Sequence, residues 1–194
     1  MADRLVVALD YDDTLSQTSL AKVRWAHNAQ FNLAAYPSPL LEQLWTAAAP
    51  EAAFYADPRA GLAHCEVVEG ALAAVQQLAR VAKIVVITAG YDEHYVPKQV
   101  WLARHFPGLI HEMVFLKPGE TKAEHCRRLG VSVIIEDRYD YAAGCAQAGI
   151  EAILVKRYSW SNGPALPHLQ IVDDWPAATR KALELLEEPL VAPA

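Results

Sequence analysis

Residues 5–9, LVVAL, form an unbroken apolar run that stops at Asp10, and Asp12, Asp13 and Thr14 follow within four positions. A run of this kind fits a strand buried on both faces, which requires a parallel sheet covered by helices. Its end would carry several carboxylates out of an apolar sheet into one small region. An acidic turn capping the next helix would read the same way, since Asp and Thr cap well. The ends of the later strands weigh between the two.

Further apolar runs recur at 83–87 (KIVVI), 113–116, 132–135, 152–155 and 170–172. Between them lie helix patterns: Leu72, Val75 and Leu78 at three-residue spacing, a segment from Pro97 to His105, and an Ala-rich stretch before Gly149 that Asp140 could cap. A last helix covers 175–186. Thr121-Lys122-Ala123-Glu124 has capping-box spacing, and Gly130 can close the helix it opens. Strand and helix alternating in this way predict an α/β fold with a parallel sheet between helical layers. Residues 16–68 differ: they carry Trp25, Phe31, Tyr36, Trp45, Phe54 and Tyr55, helix-forming stretches at 19–31 and 40–49, four prolines and no strand run. At about 50 residues this is too long for a connection and reads as a helical insertion. The division is a core of 1–15 and 69–187, an insertion of 16–68 and a frayed tail, 188–194.

With 194 residues and 53% hydrophobic content the chain can bury one main core. A net charge of −6 and a pI near 5.6 argue against a nucleic-acid polymer or an anionic membrane as partner. The first residues do not form a signal peptide and no apolar run approaches a membrane span, so a cytoplasmic location is expected. Cys65, Cys126 and Cys145 are widely spaced, with no CxxC pair, and read as buried hydrophobes.

Ligands of open parallel sheets bind beyond the carboxyl ends of the strands. Collected there are Asp10, Asp12 and Asp13; Thr88; Lys117 and Lys122; and Glu136, Asp137 and Asp140. Carboxylates crowded this closely hold protons or a cation. All-oxygen ligation suits Mg2+, with Thr88 and a lysine left to hold phosphate oxygens. Lys122 falls at the first position of its helix, where the dipole disfavours a cation. A local rule broken in this way marks it as the lysine of interest, with Lys117 in reserve. Tyr91, Asp92 and His94 follow Thr88 closely enough to line an entrance.

Asp10-Tyr11-Asp12-Asp13-Thr14 resembles the DxDx[TV] first motif of the haloacid dehalogenase (HAD) superfamily of phosphatases. Thr88, Lys122 and Glu136-Asp137 resemble the second, third and fourth motifs, in order, across nearly the whole chain. The resemblance implies a HAD-type Rossmann-like three-layer core, with 16–68 as a small helical cap inserted after the first strand. It also implies that Asp10 is the nucleophile and Asp12 the general acid and base, that Thr88 and Lys122 bind phosphate, and that Asp10, Asp137 and the carbonyl of Asp12 bind Mg2+. Asp12 would need its pKa raised by burial and neighbouring carboxylates.

Glu136 stands where Gly is commoner, and Tyr141 where a second acid is usual. That form is most similar to nucleotidase-type members, 5'(3')-deoxyribonucleotidases among them, and to the phosphatase half of polynucleotide kinase-phosphatases. Asp13, Glu136, Asp140 and Lys117 are therefore supporting candidates. The expected activity is Mg2+-dependent hydrolysis of a small soluble phosphate ester, such as a nucleoside monophosphate. The alternatives are a polynucleotide-end phosphatase and a phosphoacceptor or ligand-binding module without efficient turnover.

Overall fold

The computed structural model describes residues 5–28, 54, 65–90 and 92–187. Six strands form one parallel sheet: β1 (Val6–Leu9), β2 (Lys83–Thr88), β3 (Glu112–Phe115), β4 (Val131–Glu136), β5 (Glu151–Val155) and β6 (Leu169–Val172), in the order β3-β2-β1-β4-β5-β6. The helices are α1 (Thr18–Asn28), α2 (Ala71–Leu78), α3 (Tyr95–His105), α4 (Lys122–Leu129), α5 (Tyr139–Gln147) and α6 (Trp175–Glu187).

Alternate residues of each strand enter two separate cores. Val7, Leu9, Ile84, Val86, Val133 and Ile135 pack against α2, α3 and α6, while Ala8, Val85, Ile87 and Ile134 pack against α4 and α5. Burial on both sides explains why these strands carry no polar alternation. The expected α/β three-layer architecture is the one observed. Strand limits move by one or two residues, and α3 begins at Tyr95 after a 3-10 turn, so Pro97 still lies in its first turn.

β1 is central, flanked by β2 and β4, so the strand order reverses beside it. Open sheets of this kind take ligands at that point, beyond the carboxyl ends. The register places Leu9 opposite Val86 and Ile135, and Asp10 N–H continues the pairing to the Ile135 carbonyl at 3.0 Å. Asp10, Thr88 and Glu136 therefore leave the sheet side by side.

The chain turns away from the core at Ser16 and returns at Val67, where the two residues form an antiparallel bridge. Val68 N–H donates to the Leu15 carbonyl and Gln17 N–H to that of Glu66, both at 2.8 Å. Two buried tryptophans hold these ends to the core. Trp175 of α6 donates to the Thr14 carbonyl at 3.0 Å, and Trp101 of α3 to the Cys65 carbonyl at 2.7 Å. The expected 40–49 helix and the frayed tail lie outside the described residues, as does Tyr91. All three cysteines are free and buried, as read from the sequence.

Candidate active site

The capping box expected at Thr121 is present: its hydroxyl accepts from Glu124 N–H while the Glu124 carboxylate accepts from Thr121 N–H. This cap fixes the start of α4 and therefore the direction of Lys122. The lysine is 2% exposed and donates to both Asp10 Oδ1 and Glu136 Oε1. Burial opposes its charge, but Asp10 and Glu136 outweigh that and raise its pKa. The unfavourable helix position is thus compensated by carboxylates at the ends of two adjacent strands, β1 and β4. Glu136 Oε2 also accepts from the N–H groups of Asp137 and Arg138, each at 2.9 Å.

Asp137, the next residue, is 2% exposed. Its Oδ1 accepts from Thr14 Oγ1 at 3.1 Å and its Oδ2 from Trp160 Nε1 at 2.7 Å. Burial, followed by Glu136, Asp10 and Asp13, pushes its carboxyl well above the usual range. Glu136 is pushed to about 7, first by burial and then by Asp10.

Asp10, Glu136 and Asp137 each bring a carboxylate oxygen within 4.8 Å of the others. Among the described residues, Lys122 pairs with two of the trio, Asp10 and Glu136, so with all three acids ionised the group and this lysine hold two excess negative charges. A buried oxygen cluster with that excess fits a divalent hard cation such as Mg2+. Glu136, a supporting candidate in the sequence, belongs to this inner group.

The turn after β1 is held by its own side chains. Asp13 adopts φ 58, a left-handed conformation that Asp tolerates, and its carboxylate accepts from Ser19 N–H at 2.9 Å and from the Ser19 hydroxyl. Asp13 therefore caps α1, as the bland reading of this turn has it, while Asp10 faces the site; both readings apply, to different residues. Burial pushes the Asp13 carboxyl to about 7.

Two buried cations went unmarked in the sequence, Lys22, which is 5% exposed, and Lys98. Lys98 of α3 is 1% exposed and donates to Asp12 Oδ2 at 2.6 Å, Thr88 Oγ1 at 2.7 Å and the Ala89 carbonyl at 2.9 Å. All three ammonium protons are used. A signal existed: Lys98 lies three and four residues before Trp101 and Leu102, on the apolar face of its helix.

Lys98 also corrects the expectation for Asp12. Burial does push that carboxyl upward, but the Lys98 charge and hydrogen bond, with Lys22 and Thr18, overcome it and lower the pKa. Thr18 Oγ1 occupies Asp12 Oδ1 at 2.8 Å. Asp12 is thus held ionised.

Two candidates stay outside the group. The Lys117 side chain is exposed, with its backbone N–H bound to Glu120. Asp140 does not cap α5; it is exposed in the first turn and pairs with Arg138 at 2.8 Å. Of the entrance candidates, Asp92 is exposed and His94 buried. Trp160, in the loop after β5, carried no sequence signal, because nothing periodic or motif-like marks SWSNG.

No family model and no curated protein matches the chain. Solved structures do. A HAD-like family hydrolase from Xanthomonas campestris superposes with a TM-score of 0.59 at 19% identity, covering 94% of this chain and 96% of that one. A HAD-type hydrolase from Bacillus subtilis bound to magnesium gives 0.61 at 14%, covering 95% and 99%. A 2-haloacid dehalogenase from Pseudomonas syringae gives 0.54 at 19%, covering 93% and 99%. The fold is therefore the HAD-like one.

Proposed function

We propose that this HAD-like fold houses a Mg2+-dependent phosphomonoester hydrolase that works through an aspartyl-phosphate on a small soluble phosphate ester, with nucleoside monophosphates the first class to test. The observation that carries the reading is the buried group of Asp10, Glu136 and Asp137, the first two of which share Lys122. The three free, buried cysteines agree with a reducing, cytoplasmic location.

Asp10, Glu136 and Asp137 would hold the cation, which when bound neutralises charge on the phosphoryl oxygens. Asp10 needs no base to act as a nucleophile, since a carboxylate is already ionised at neutral pH. Its oxygen forms a bond to phosphorus as the bond from phosphorus to the ester oxygen breaks. Lys122 steadies Asp10 and would hold a phosphoryl oxygen, and Thr88 would offer its hydroxyl from the neighbouring strand β2.

The Lys98–Asp12 pair serves both half-reactions. In the resting pair Lys98 Nζ donates a proton to Asp12 Oδ2, and the same ammonium also donates to Thr88 Oγ1. An alkoxide leaving group draws that proton through Asp12. In the second half Asp12 takes a proton from the water that attacks phosphorus and releases Asp10, and passes it to Lys98, which restores the resting pair. The segment 16–68, which follows Asp12 closely in the chain, would be the cap that chooses the substrate.

Phosphate release from aryl, sugar and nucleoside monophosphates, with Mg2+ and with EDTA, tests the reading against an Asp10→Asn control. Release that needs Mg2+ and vanishes in the variant is the expected result. A 2-haloacid belongs in the panel because the fold is shared with dehalogenases. Halide release without phosphate release would overturn the proposal, and so would labelling of Asp10 by acetyl phosphate with no turnover of any ester.

A further inference from the structure

Asp10 and Glu136 both share Lys122, whereas the donors that touch the Asp137 carboxylate are neutral: Thr14 Oγ1 and Trp160 Nε1. A neutral donor orients a carboxylate without supplying a counter-charge, so the charge of an ionised Asp137 is left for a cation to balance. The Trp160 contact, at 2.7 Å, is the shorter of the two.

The loop that carries Trp160 is built around this residue. Ser161, 1% exposed, donates from Oγ to the Asp137 carbonyl at 2.5 Å, while the same Oγ accepts from Arg157 N–H at 3.1 Å. The Trp160 ring packs against Tyr158 with centroids 4.4 Å apart. Backbone and carboxylate of Asp137 are thus both gripped by one 3-10 turn, Ser159–Ser161.

We propose that Trp160 is a positioning residue for a divalent cation: its indole N–H holds Asp137 Oδ2 so that the remaining lone pairs of the carboxylate converge with Asp10 and Glu136. The inference rests on the reading of those three acids as the metal site, and it assigns to the loop after β5 a part in cation affinity. Partners one shell outside a metal typically change affinity about 10- to 100-fold when removed.

The test is Mn2+ binding, followed by the paramagnetic signal of the free ion, in the unchanged protein, Trp160→Phe and Asp137→Asn. Trp160→Phe is expected to weaken binding about tenfold or more, and Asp137→Asn to weaken it at least as far. In the unchanged protein, substoichiometric Mn2+ should broaden the Trp160 indole N–H signal before those of the other tryptophans, which places the ion beside Asp137. Trp160→His, which keeps a ring N–H, should recover part of the affinity that Trp160→Phe loses, a rescue that a merely structural role would not produce. The signal is identified by its absence from Trp160→Phe or, should that variant not fold, from Trp160→His. If Asp137→Asn loses Mn2+ while Trp160→Phe keeps full affinity, the inference falls and the metal site stands. If neither substitution weakens binding, both fall.

Discussion

Lys98 and Lys122 are the residues on which the site's charge balance depends, and each is buried among oxygens rather than solvated. Lys122 offsets the Asp10 and Glu136 carboxylates; Lys98 offsets Asp12 and orders Thr88. Only the first was legible in the sequence, because a capping box fixed where it sat on its helix. Lys98 carried only the weaker signal of sharing a helix face with Trp101 and Leu102, which a lysine next to Pro97, read as solvated, does not bring out. If Lys98 supplies the proton that Asp12 passes on, Lys98→Met should spare phosphate esters whose leaving group is already acidic. It should slow sugar and nucleoside phosphates by about 10²- to 10⁴-fold, the usual contribution of a positioned acid. Comparing kcat for an aryl and an alkyl ester in the same variant checks this, and equal losses on both would refute the relay.

Among the elements, α4 shows how a local signal reaches the site. Its cap is Thr121, its closing residue Gly130 at φ 62, and its first residue the lysine that meets Asp10. Thr121→Ala removes one half of the box and is expected to cost about 1 kcal/mol of stability by urea unfolding. Because the lost cap frees the first turn, kcat should fall as well, while a surface substitution of equal stability cost should leave it unchanged.

The loop after β5 makes the opposite case. Gly163 lies so close to α5 that a Cβ there would come within 2.2 Å of the Tyr139 ring. Gly163→Ala must therefore displace Tyr139 or the loop, at about 1–3 kcal/mol for overpacking. Mn2+ affinity should drop with it if the loop positions Trp160. Thermal unfolding and Mn2+ titration of this variant measure the two effects separately.

At the scale of the whole molecule, buried carboxyls make stability depend on pH in an unusual sense. Glu136 and Asp13 are both pushed up to about 7 by burial. In the unfolded chain they ionise near about pH 4. Between about pH 4 and 7 the folded protein keeps protons that the unfolded chain has lost, so stability falls as pH rises through that window. The lowered pKa values of Asp12 and Asp140 act in the other sense, but their contribution is complete above about pH 5; the lowered pKa of His105 does oppose the fall up to about pH 6.5, as one group against two. The metal-free protein should therefore lose on the order of 5 °C or more in Tm from pH 5 to 7.5. Mg2+ should restore the loss, and its stabilising effect should grow with pH. A flat profile in EDTA would mean that the acids are not packed as described.

The sequence by itself determined the parallel three-layer sheet, the capped start of α4 and the gathering of Asp10, Thr88, Lys122, Glu136 and Asp137 at one edge. Each follows from local rules: unbroken apolar runs, cap spacing, and the fact that parallel strands all end on the same side. Only the tertiary structure decided that Lys98 pairs with Asp12, that Asp140 faces away toward Arg138, and that Trp160 reaches Asp137. Those contacts join residues far apart in the chain, where no periodicity links the partners and the outcome depends on which way a helix face or a loop turns when it packs.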